Sequence, residues 1–319
     1  MRALLAADRR LDLCDRPRPS VPGECLIKVR MAGICGTDLE ILAGYAGFRG
    51  VPGHEFVGTV EWAPEGAEAW LGRRIVGEIN IGCGTCRFCR DGVREHCERR
   101  QVLGIRGRDG AFAEYVALPA HNLHELPNAL TDDVAVFVEP VAAACRITEQ
   151  VDVSRISDAA VVGDGRLGLL AGQVLRHAGV RVTVVGRHAE KLAIARRFGL
   201  DTMAAEAVNV ARARFELVVD ATGRREGLAS ALALVRPRGT VVLKSTFHGD
   251  APVATSPIVV DEVTIVGSRC GPFSTAIDLL ARGAVDVRPL VSGIHPLSEW
   301  REAFAAARTN LKVLIDLTS

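Results

Sequence analysis

The octapeptide Val161-Val162-Gly163-Asp164-Gly165-Arg166-Leu167-Gly168 decides the fold of the second half of the chain. An apolar run precedes the spacing G-x-G-x-x-G, and a helical pattern follows it. This context predicts a strand, a tight turn and a helix whose N-terminus holds the phosphates of a dinucleotide. Gly163 would make the turn, Gly165 would admit the pyrophosphate, and Gly168 would let the helix meet the strand. The alternative is a tight turn without a ligand. The predicted binding residues are Gly163, Gly165, Arg166, Leu167 and Gly168.

Short apolar runs and helical segments alternate on both sides of this turn. The runs are nearly continuous, which is typical of parallel strands covered on both faces. They lie at 159–162, 182–185, 217–219 and 240–243, and the helical segments lie near 166–179, 188–199, 225–236 and 273–282. This alternation predicts a doubly wound α/β domain of the Rossmann type. Thr222 follows the third run, at the carboxyl edge where such sheets bind ligands, and is a further candidate for cofactor binding.

The end of the second run bears on which nicotinamide cofactor binds. A site for NAD normally places an acidic residue there to hold the ribose 2′-hydroxyl. This chain has Gly186, Arg187 and His188 instead. Gly186 leaves room for a 2′-phosphate, Arg187 can bind it bidentately, and Lys191 could add a second charge. We therefore expect a preference for NADP(H), and expect an aspartate at position 186 to favour NAD. The alternative is that Arg187 begins a solvated helix and the two cofactors are poorly distinguished.

The first part of the chain is rich in short strands separated by glycine and proline. Strand patterns at 25–32, 56–62, 72–78 and 111–118 predict a partly closed β-barrel. Thr131 starts a helix, and Glu139 stands before Pro140, so we expect that helix to break at Glu139. From about residue 284 the sequence pattern is mixed again, with one helix and one strand. The expected domains are 1–141, with a cysteine lobe at 83–97, then 142–283, and a C-terminal return at 284–319.

Four cysteines form the most specific motif, Cys83-x2-Cys86-x2-Cys89-x7-Cys97. Four thiolates at these gaps can complete a tetrahedron around zinc and leave no position open. The predicted site is therefore a structural zinc site without a catalytic role. An iron–sulfur centre and a chance cluster are the alternatives.

A second group of possible ligands is spread along the first domain. Cys35 lies in the stretch Gly33–Asp38, His54 and Glu55 follow Gly53, and Glu139 precedes Pro140. Thiolate, imidazole and carboxylate are ligands that zinc accepts, and about three protein ligands with an open position are typical of a catalytic site. We expect these residues to converge on one zinc ion. Taken singly, Cys35 could be a small buried hydrophobe, the His54-Glu55 pair a polar strand end, and Glu139 a solvated residue of a kinked helix.

Composition excludes several classes of function. The formal net charge of +1 gives no electrostatic reason to expect nucleic acid or an anionic membrane as a partner. No apolar stretch is long enough to span a bilayer. The nine cysteines are an odd number, and four of them lie within residues 83–97. This distribution favours metal binding in a reducing compartment, so we expect a cytoplasmic protein.

The order of these motifs resembles the zinc-containing medium-chain alcohol dehydrogenase family. The resemblance covers essentially the whole chain: Gly-Ile-Cys-Gly-Thr-Asp, Gly-His-Glu, the four-cysteine lobe, Glu-Pro, the Rossmann domain and the C-terminal return. It implies a GroES-like catalytic domain and a place in the threonine, polyol and glucose dehydrogenase branch, where Glu replaces Cys as the later zinc ligand. Cys35 and His54 would bind the catalytic zinc, with Glu55 and Glu139 as direct or exchanging ligands. Thr37 matches the family's proton-relay hydroxyl, but Glu40 stands near the place where members often carry a relay His.

The activity implied is hydride transfer between an alcohol or polyol and a nicotinamide cofactor, with two zinc ions per chain and NADP(H) preferred. A zinc-stabilised nucleotide-binding protein without turnover is one alternative. A zinc-free quinone or enoyl reductase is another, disfavoured because Cys35, His54 and Glu139 are all present. The run 263–267 is expected to be the uncovered edge strand of the Rossmann sheet. The resemblance implies that two subunits join there, in a homodimer or a homotetramer.

Overall fold

The computed structural model describes residues 1–209, 213–246, 250 and 252–318. The chain forms two compact units, one of Met1–Glu139 with Leu290–Ser319 and one of Pro140–Pro289. The expected domain limits at residues 141 and 283 differ from these boundaries by a few residues and stay predictions. Each unit is described by itself.

The first unit begins with an antiparallel hairpin and continues through short strands. Its elements up to the second unit are β1 (Arg2–Ala7), β2 (Arg10–Asp15), β3 (Cys25–Gly33), α1 (Gly36–Leu42), β4 (Glu55–Trp62), β5 (Arg74–Gly77), β6 (Asn80–Ile81), α2 (Arg87–Arg90), β7 (Gln101–Val102), β8 (Tyr115–Leu118), β9 (Leu123–Glu125) and α3 (Asp132–Ala135). The next helix, α4 (Val138–Gln150), begins in this unit, and its residues from Pro140 onward belong to the second unit. The hairpin β1–β2 has no counterpart in the sequence prediction. Its turn places Asp8 and Arg9 at positive φ, a conformation that residues with a Cβ adopt infrequently.

The second unit is a doubly wound α/β domain, as predicted. Its elements are β10 (Asp158–Val162), α5 (Arg166–His177), β11 (Arg181–Gly186), α6 (Ala189–Arg197), β12 (Asp201–Ala204), β13 (Phe215–Asp220), α7 (Gly227–Leu234), β14 (Val235–Leu243), α8 (Thr255–Val260), β15 (Thr264–Gly267) and α9 (Phe273–Ala281). The strands are parallel in the order β12-β11-β10-β13-β14-β15. Successive strands are added on one side of β10 up to β12 and on its other side from β13 onward. Ligands bind in such folds at this switch point between β10 and β13.

The last segment completes the sheet of the first unit. It contains β16 (Val291–Pro296), α10 (Trp300–Ala307) and β17 (Lys312–Asp316). The strand order is β16-β17-β3-β4-β5-β9, and β8 also pairs with β3. β3 is therefore the central strand, and its register places Gly33 opposite both Glu55 of β4 and Leu314 of β17. This arrangement confirms the expected GroES-like domain and the return of the C-terminal strand.

The helix break expected at Glu139 is wrong. The chain leaves helical geometry at Val136–Phe137, between α3 and α4, and Glu139 and Pro140 both lie in the first turn of α4. Proline is tolerated there because the first N–H groups of a helix have no intrahelical acceptor. Glu139 is instead an acidic residue in a helical first turn, where the helix dipole stabilises a negative charge.

The helices of the described residues are short. α4, for example, has 13 residues. In the part of the chain that the structure describes, no helix combines the length and the apolar character needed to cross a membrane. The helices instead flank the sheets, as the buried residues of α5 do beside β10 and β11.

Candidate metal centres and nucleotide site

The first metal centre forms at the ends of two neighbouring strands. The ligand atoms of Cys35, His54 and Glu55 all lie within 4.8 Å of one another. Cys35 follows β3 and caps the N-terminus of α1, while His54 and Glu55 lie where β4 begins. Since β3 and β4 pair antiparallel with Gly33 opposite Glu55, the end of one strand meets the start of the other. The register of the sheet therefore brings together residues that are distant in sequence.

Asp38, a residue without a predicted role, holds this centre in place. Its Oδ2 accepts a hydrogen bond from the Cys35 N–H at 2.8 Å, and its Oδ1 accepts one from the Gly53 N–H at 3.2 Å. Oδ1 also lies 3.5 Å from His54 Nδ1. Asp38 is 1% exposed, so its charge depends on these partners. Because Nδ1 faces Asp38, Nε2 is the ring nitrogen left to bind a metal, the usual arrangement for a ligating histidine.

Charge around His54 favours its protonated form when no metal is bound. Burial by itself lowers the pKa of this imidazole, but the neighbouring Asp38 and Cys35 outweigh it and raise the pKa well above its ordinary value. A cation is thus stabilised at this position. A metal ion would supply that positive charge and would compete with the proton for the same nitrogen.

A buried lysine lies against the third member of the centre. Lys312 of β17 is 0% exposed, and its Nζ forms an ion pair with Glu55 Oε2. Burial lowers the pKa of Lys312 to about 8, while Cys35 and Asp38 act in the opposite direction. A Cβ on Gly33 would lie 2.8 Å from Lys312 Cε and 2.9 Å from Glu55 Oε2, so only glycine leaves room for this pair. Lys312 has no predicted role, because its contact with Glu55 joins residues that are far apart in the sequence.

Two further predicted residues have different outcomes. Thr37 lies in α1 with its Oγ1 3.8 Å from Cys35 Sγ, beside the metal centre. Glu139 lies in α4 and is outside the group whose ligand atoms approach within 4.8 Å. Its role as a zinc ligand therefore stays a prediction. Glu40, at the position near which a relay histidine was considered, is exposed.

The residues of this centre fit a zinc ion. A sulfur, a nitrogen and a carboxylate oxygen converge, and their geometry is fixed by Asp38 and by the strand register. Zinc accepts this mixed donor set, and three protein ligands leave a position for a small molecule. When bound, zinc would act as a Lewis acid that lowers the pKa of an alcohol hydroxyl.

The second metal centre is the cysteine lobe. The sulfur atoms of Cys83, Cys86, Cys89 and Cys97 lie within 4.8 Å of one another. Hydrogen bonds, chiefly from Thr85, lower the pKa of Cys83 to about 5, whereas desolvation raises the pKa of Cys89 to about 11. A metal ion would stabilise all four as thiolates. With only sulfur ligands and no open position, the lobe matches a structural zinc site.

The glycine-rich turn has the form expected of a phosphate site. Gly163 has φ +118°, and a Cβ there would lie 2.7 Å from the Ala221 carbonyl oxygen. A Cβ on Gly168 would collide with the Gly163 carbonyl oxygen, so the helix approaches the turn more closely than another residue would allow. Gly165 caps the N-terminus of α5, and no atom lies within 4 Å of the position that its Cβ would take. Its backbone is therefore open to a ligand at the positive end of the helix.

A cavity of about 280 Å³ adjoins this turn within the second unit. Its wall includes the carboxyl ends of β10 and β11 and the residues that directly follow β13, which is the predicted edge of the sheet. Of the residues predicted to bind the cofactor, the lining includes Gly163, Gly165, Gly186, Arg187, His188 and Thr222. Arg166 and Leu167 lie in the first turn of α5 and are not part of that lining. The wall also includes Lys191, which was predicted to add a charge, and Arg224, which has no predicted role.

Comparison with known proteins extends these observations. Residues 21–128 match the family described as Alcohol dehydrogenase GroES-like domain, and residues 167–282 match the family described as Zinc-binding dehydrogenase. An L-threonine 3-dehydrogenase of Streptomyces avermitilis is 36% identical over 345 residues, which cover 100% of both chains. The fold is similar to that of the short chain alcohol dehydrogenase RspB from Escherichia coli CFT073 complexed with NADH (TM-score 0.92, 29% identity, 99% of each chain). It is also similar to a zinc-binding dehydrogenase from Sinorhizobium meliloti 1021 bound to NADP (TM-score 0.89, 30% identity, 99% of this chain and 98% of that one).

The fold, the two metal centres and the nucleotide site define the class, a zinc-dependent oxidoreductase that uses a nicotinamide cofactor. Within that class, the chain belongs to the zinc-containing medium-chain alcohol dehydrogenase family. The structural neighbours bind both kinds of nicotinamide cofactor, one NADH and the other NADP.

Proposed function

We propose that this enzyme transfers a hydride between a secondary alcohol or polyol and NADP(H), with one catalytic and one structural zinc ion per chain. The observation that carries the proposal is the convergence of Cys35, His54 and Glu55 on one centre. The separate cysteine lobe supplies the second metal site. A relative with the name L-threonine 3-dehydrogenase supports the alcohol class of substrate.

The chain's own residues have distinct roles in this proposal. Cys35 and His54 hold the catalytic zinc ion, and Asp38 fixes both, because it accepts the Cys35 N–H and faces His54 Nδ1. Thr37, 3.8 Å from Cys35 Sγ, is placed to receive the proton that an alcohol gives up. Lys312 pairs with Glu55 and balances its charge.

Glu139 is the remaining proposed ligand of the catalytic zinc ion. In the structure Glu55 is already paired with a buried lysine. A carboxylate engaged in this way has less charge to offer a metal. Following the family resemblance, we assign Glu139 as the direct carboxylate ligand and Glu55 as the exchanging one. Zinc binding to Glu139→Gln and to Glu55→Gln, measured side by side, tests the assignment. It requires the larger loss of affinity from the Glu139 variant, and a larger loss from Glu55→Gln would reverse it.

The preference for NADP(H) is supported by charge in the cavity of the second unit. Gly186 has no carboxylate of its own. Arg187, Lys191 and Arg224 line the same cavity and outnumber its two carboxylates, those of Asp164 and Glu226. Guanidinium groups bind phosphates through paired hydrogen bonds. Three cationic side chains at the edge of the sheet are thus available to bind the 2′-phosphate at the adenosine end of the cofactor.

The direct test is turnover on a panel of alcohols, polyols, sugars and amino alcohols, each assayed with NADP+ and with NAD+. We expect reduction of the cofactor with at least one secondary alcohol or polyol, and a higher kcat/KM for NADP+. Turnover with none of them, from a protein holding both zinc ions, would instead favour a nucleotide-binding protein without activity. Equal specificity constants for the two cofactors would refute the preference for NADP(H).

Assembly through β15 is the proposed quaternary arrangement. This strand is at the edge of the six-stranded sheet and pairs with β14. Ile265 is 37% exposed, and the neighbouring α8 exposes Val259 and Val260 at 74% and 78%. An uncovered edge strand beside apolar side chains is suited to pairing with a second copy of the chain. Sedimentation velocity should show a dimer or a tetramer, and a monomer at every concentration would contradict this proposal.

A cytoplasmic location is the last element of the proposal. All nine cysteines are free thiols. Cysteines of a secreted protein are normally paired as disulfides, whereas a reducing compartment keeps metal-binding thiols available. Fractionation of cells that express the protein should place it with the soluble cytoplasmic enzymes.

A further inference from the structure

Asp164, the second residue of the glycine-rich turn, reaches across to the end of the neighbouring strand. Its Oδ2 accepts hydrogen bonds from the backbone N–H groups of Arg187 and His188, both at 2.8 Å. Its two oxygens also lie 3.0 Å from His188 Nδ1. Asp164 is 7% exposed and lines the cavity, as do Arg187 and His188. A residue of the glycine-rich turn is therefore hydrogen-bonded to Arg187 and His188, the segment expected to bind the adenosine ribose.

The carboxylate of Asp164 occupies the space that a side chain at position 186 would need. A Cβ built on Gly186 would collide with Asp164 Oδ2 and would lie 2.6 Å from Asp164 Cβ. Position 186 ends β11, where NAD-binding sites carry the acidic residue that holds the 2′-hydroxyl. The chain has thus placed a carboxylate near that point, but it comes from the neighbouring strand–helix turn, after β10.

The surroundings of Asp164 stabilise its negative charge. Burial by itself raises the pKa of this carboxyl, but hydrogen bonds from His188 and Arg187 outweigh it and lower the pKa. The two backbone N–H groups belong to the start of α6, where the helix dipole also favours a negative charge. With Nδ1 of His188 directed at Asp164, the imidazole has its Nε2 left to meet a ligand in the cavity.

We propose that Asp164 is a positioning residue for the 2′-phosphate of NADP(H): it orients His188 and the backbone of the Arg187-His188 turn, and it excludes a side chain at position 186. This inference rests on the proposed preference for NADP(H). It also revises the expectation from the sequence that an aspartate at position 186 would by itself favour NAD. In this structure such an aspartate would collide with Asp164 and would place two carboxylates together. A change of cofactor therefore requires both positions to change.

The test uses two adenosine fragments, 2′,5′-ADP and 5′-AMP, whose dissociation constants are measured by titration calorimetry on the zinc-loaded enzyme. Asp164→Asn keeps the shape of the side chain but loses its charge and one acceptor. We expect it to weaken 2′,5′-ADP binding by about tenfold, the loss of one charge-assisted hydrogen bond, and to change 5′-AMP binding by less than about twofold. Glu190→Gln is the matched control, because it removes an exposed carboxylate from the same helical turn and should weaken neither fragment. In a His188→Ala background, Asp164→Asn should have a smaller effect, because only the two backbone hydrogen bonds of Asp164 remain to be lost.

The second arm tests the exclusion at position 186. Gly186→Asp alone should lose binding of both fragments, whereas Gly186→Asp combined with Asp164→Ala should regain 5′-AMP binding and prefer it over 2′,5′-ADP. Tighter or unchanged 2′,5′-ADP binding by Asp164→Asn would overturn the positioning role, and full 5′-AMP binding by Gly186→Asp alone would overturn the exclusion. Equal affinity of the wild-type enzyme for the two fragments would instead refute the preference for NADP(H) in the proposed function. The two failures are therefore distinguishable.

Discussion

Replacing Asp38 with asparagine tests how the catalytic centre is held. The substitution keeps the size of the side chain but turns one of its two acceptor oxygens into an NH2 group. In the native structure one oxygen accepts from the Cys35 N–H and the other accepts from the Gly53 N–H and faces His54 Nδ1. Asparagine can satisfy only one of these sides. Its NH2 group would point either at the Cys35 N–H or at the Gly53 N–H and the imidazole.

The size of the effect follows from these contacts. Asp38 is 1% exposed, so no water replaces the lost acceptor. A hydrogen bond to a charged group contributes about 1.5–3 kcal/mol, which corresponds to about a tenfold to hundredfold change in an equilibrium constant. Loss of a group that orients a metal-binding histidine typically weakens metal affinity by the same factor of about 10–100. We therefore expect Asp38→Asn to weaken zinc binding at the catalytic centre by about 10- to 100-fold.

The assay is competition for zinc with a chromophoric chelator, followed separately for the tight and the weaker site. The cysteine lobe should retain its zinc, because Asp38 is not part of it. Asp12→Asn, at an exposed position of β2, is the matched control and should bind both ions normally. Wild-type affinity at the catalytic centre of Asp38→Asn would refute the reasoning, and so would an equal loss at both sites.

Three further predictions concern other parts of the molecule. Lys312→Met leaves Glu55 buried without its cation, and should lower the free energy of unfolding in urea by about 3–5 kcal/mol; a change below about 1 kcal/mol would mean that the pair is not needed. Cys89→Ala removes one of four thiolates and should lower the melting temperature markedly, because structural zinc contributes folding free energy. The control Cys14→Ala should leave the melting temperature unchanged, and wild-type melting of Cys89→Ala would rule out a structural metal site. Arg187→Ala should weaken NADP(H) binding by about 10- to 100-fold with little change for NAD(H), as measured by fluorescence titration. Equal losses of affinity for both cofactors would show that Arg187 does not contact the 2′-phosphate.

Local patterns were sufficient to predict the architecture. The nearly continuous apolar runs correspond to β10, β11, β13 and β14. A parallel strand that is covered on both faces is apolar along its whole length, which makes it easy to recognise in the sequence. The glycine spacing predicted the strand–turn–helix because two of those glycines are required sterically. The cysteine spacing predicted the lobe because short gaps force the four sulfur atoms together.

The contacts that support the sites could not be predicted in the same way. The Lys312–Glu55 pair joins β17 to β4, and it depends on the register of both strands against β3. The contact of Asp164 with His188 depends on the distance between two adjacent turns of the sheet. Pro140 misled the helix prediction, because a proline in the first turn of a helix and a proline that ends a helix look alike in sequence. Asp38 alone carried a local signal, since it lies three residues after Cys35 at the start of α1.

The most direct test of the account is the zinc content of the purified enzyme, measured together with its turnover, for wild type and for Cys35→Ser. We predict two zinc ions per wild-type chain, and one zinc ion with nearly complete loss of cofactor reduction for Cys35→Ser. The fold of the variant should be preserved, because the cysteine lobe keeps its own metal. Full turnover by a Cys35→Ser protein that holds one zinc ion would contradict the central claim that Cys35 and His54 hold the catalytic zinc ion.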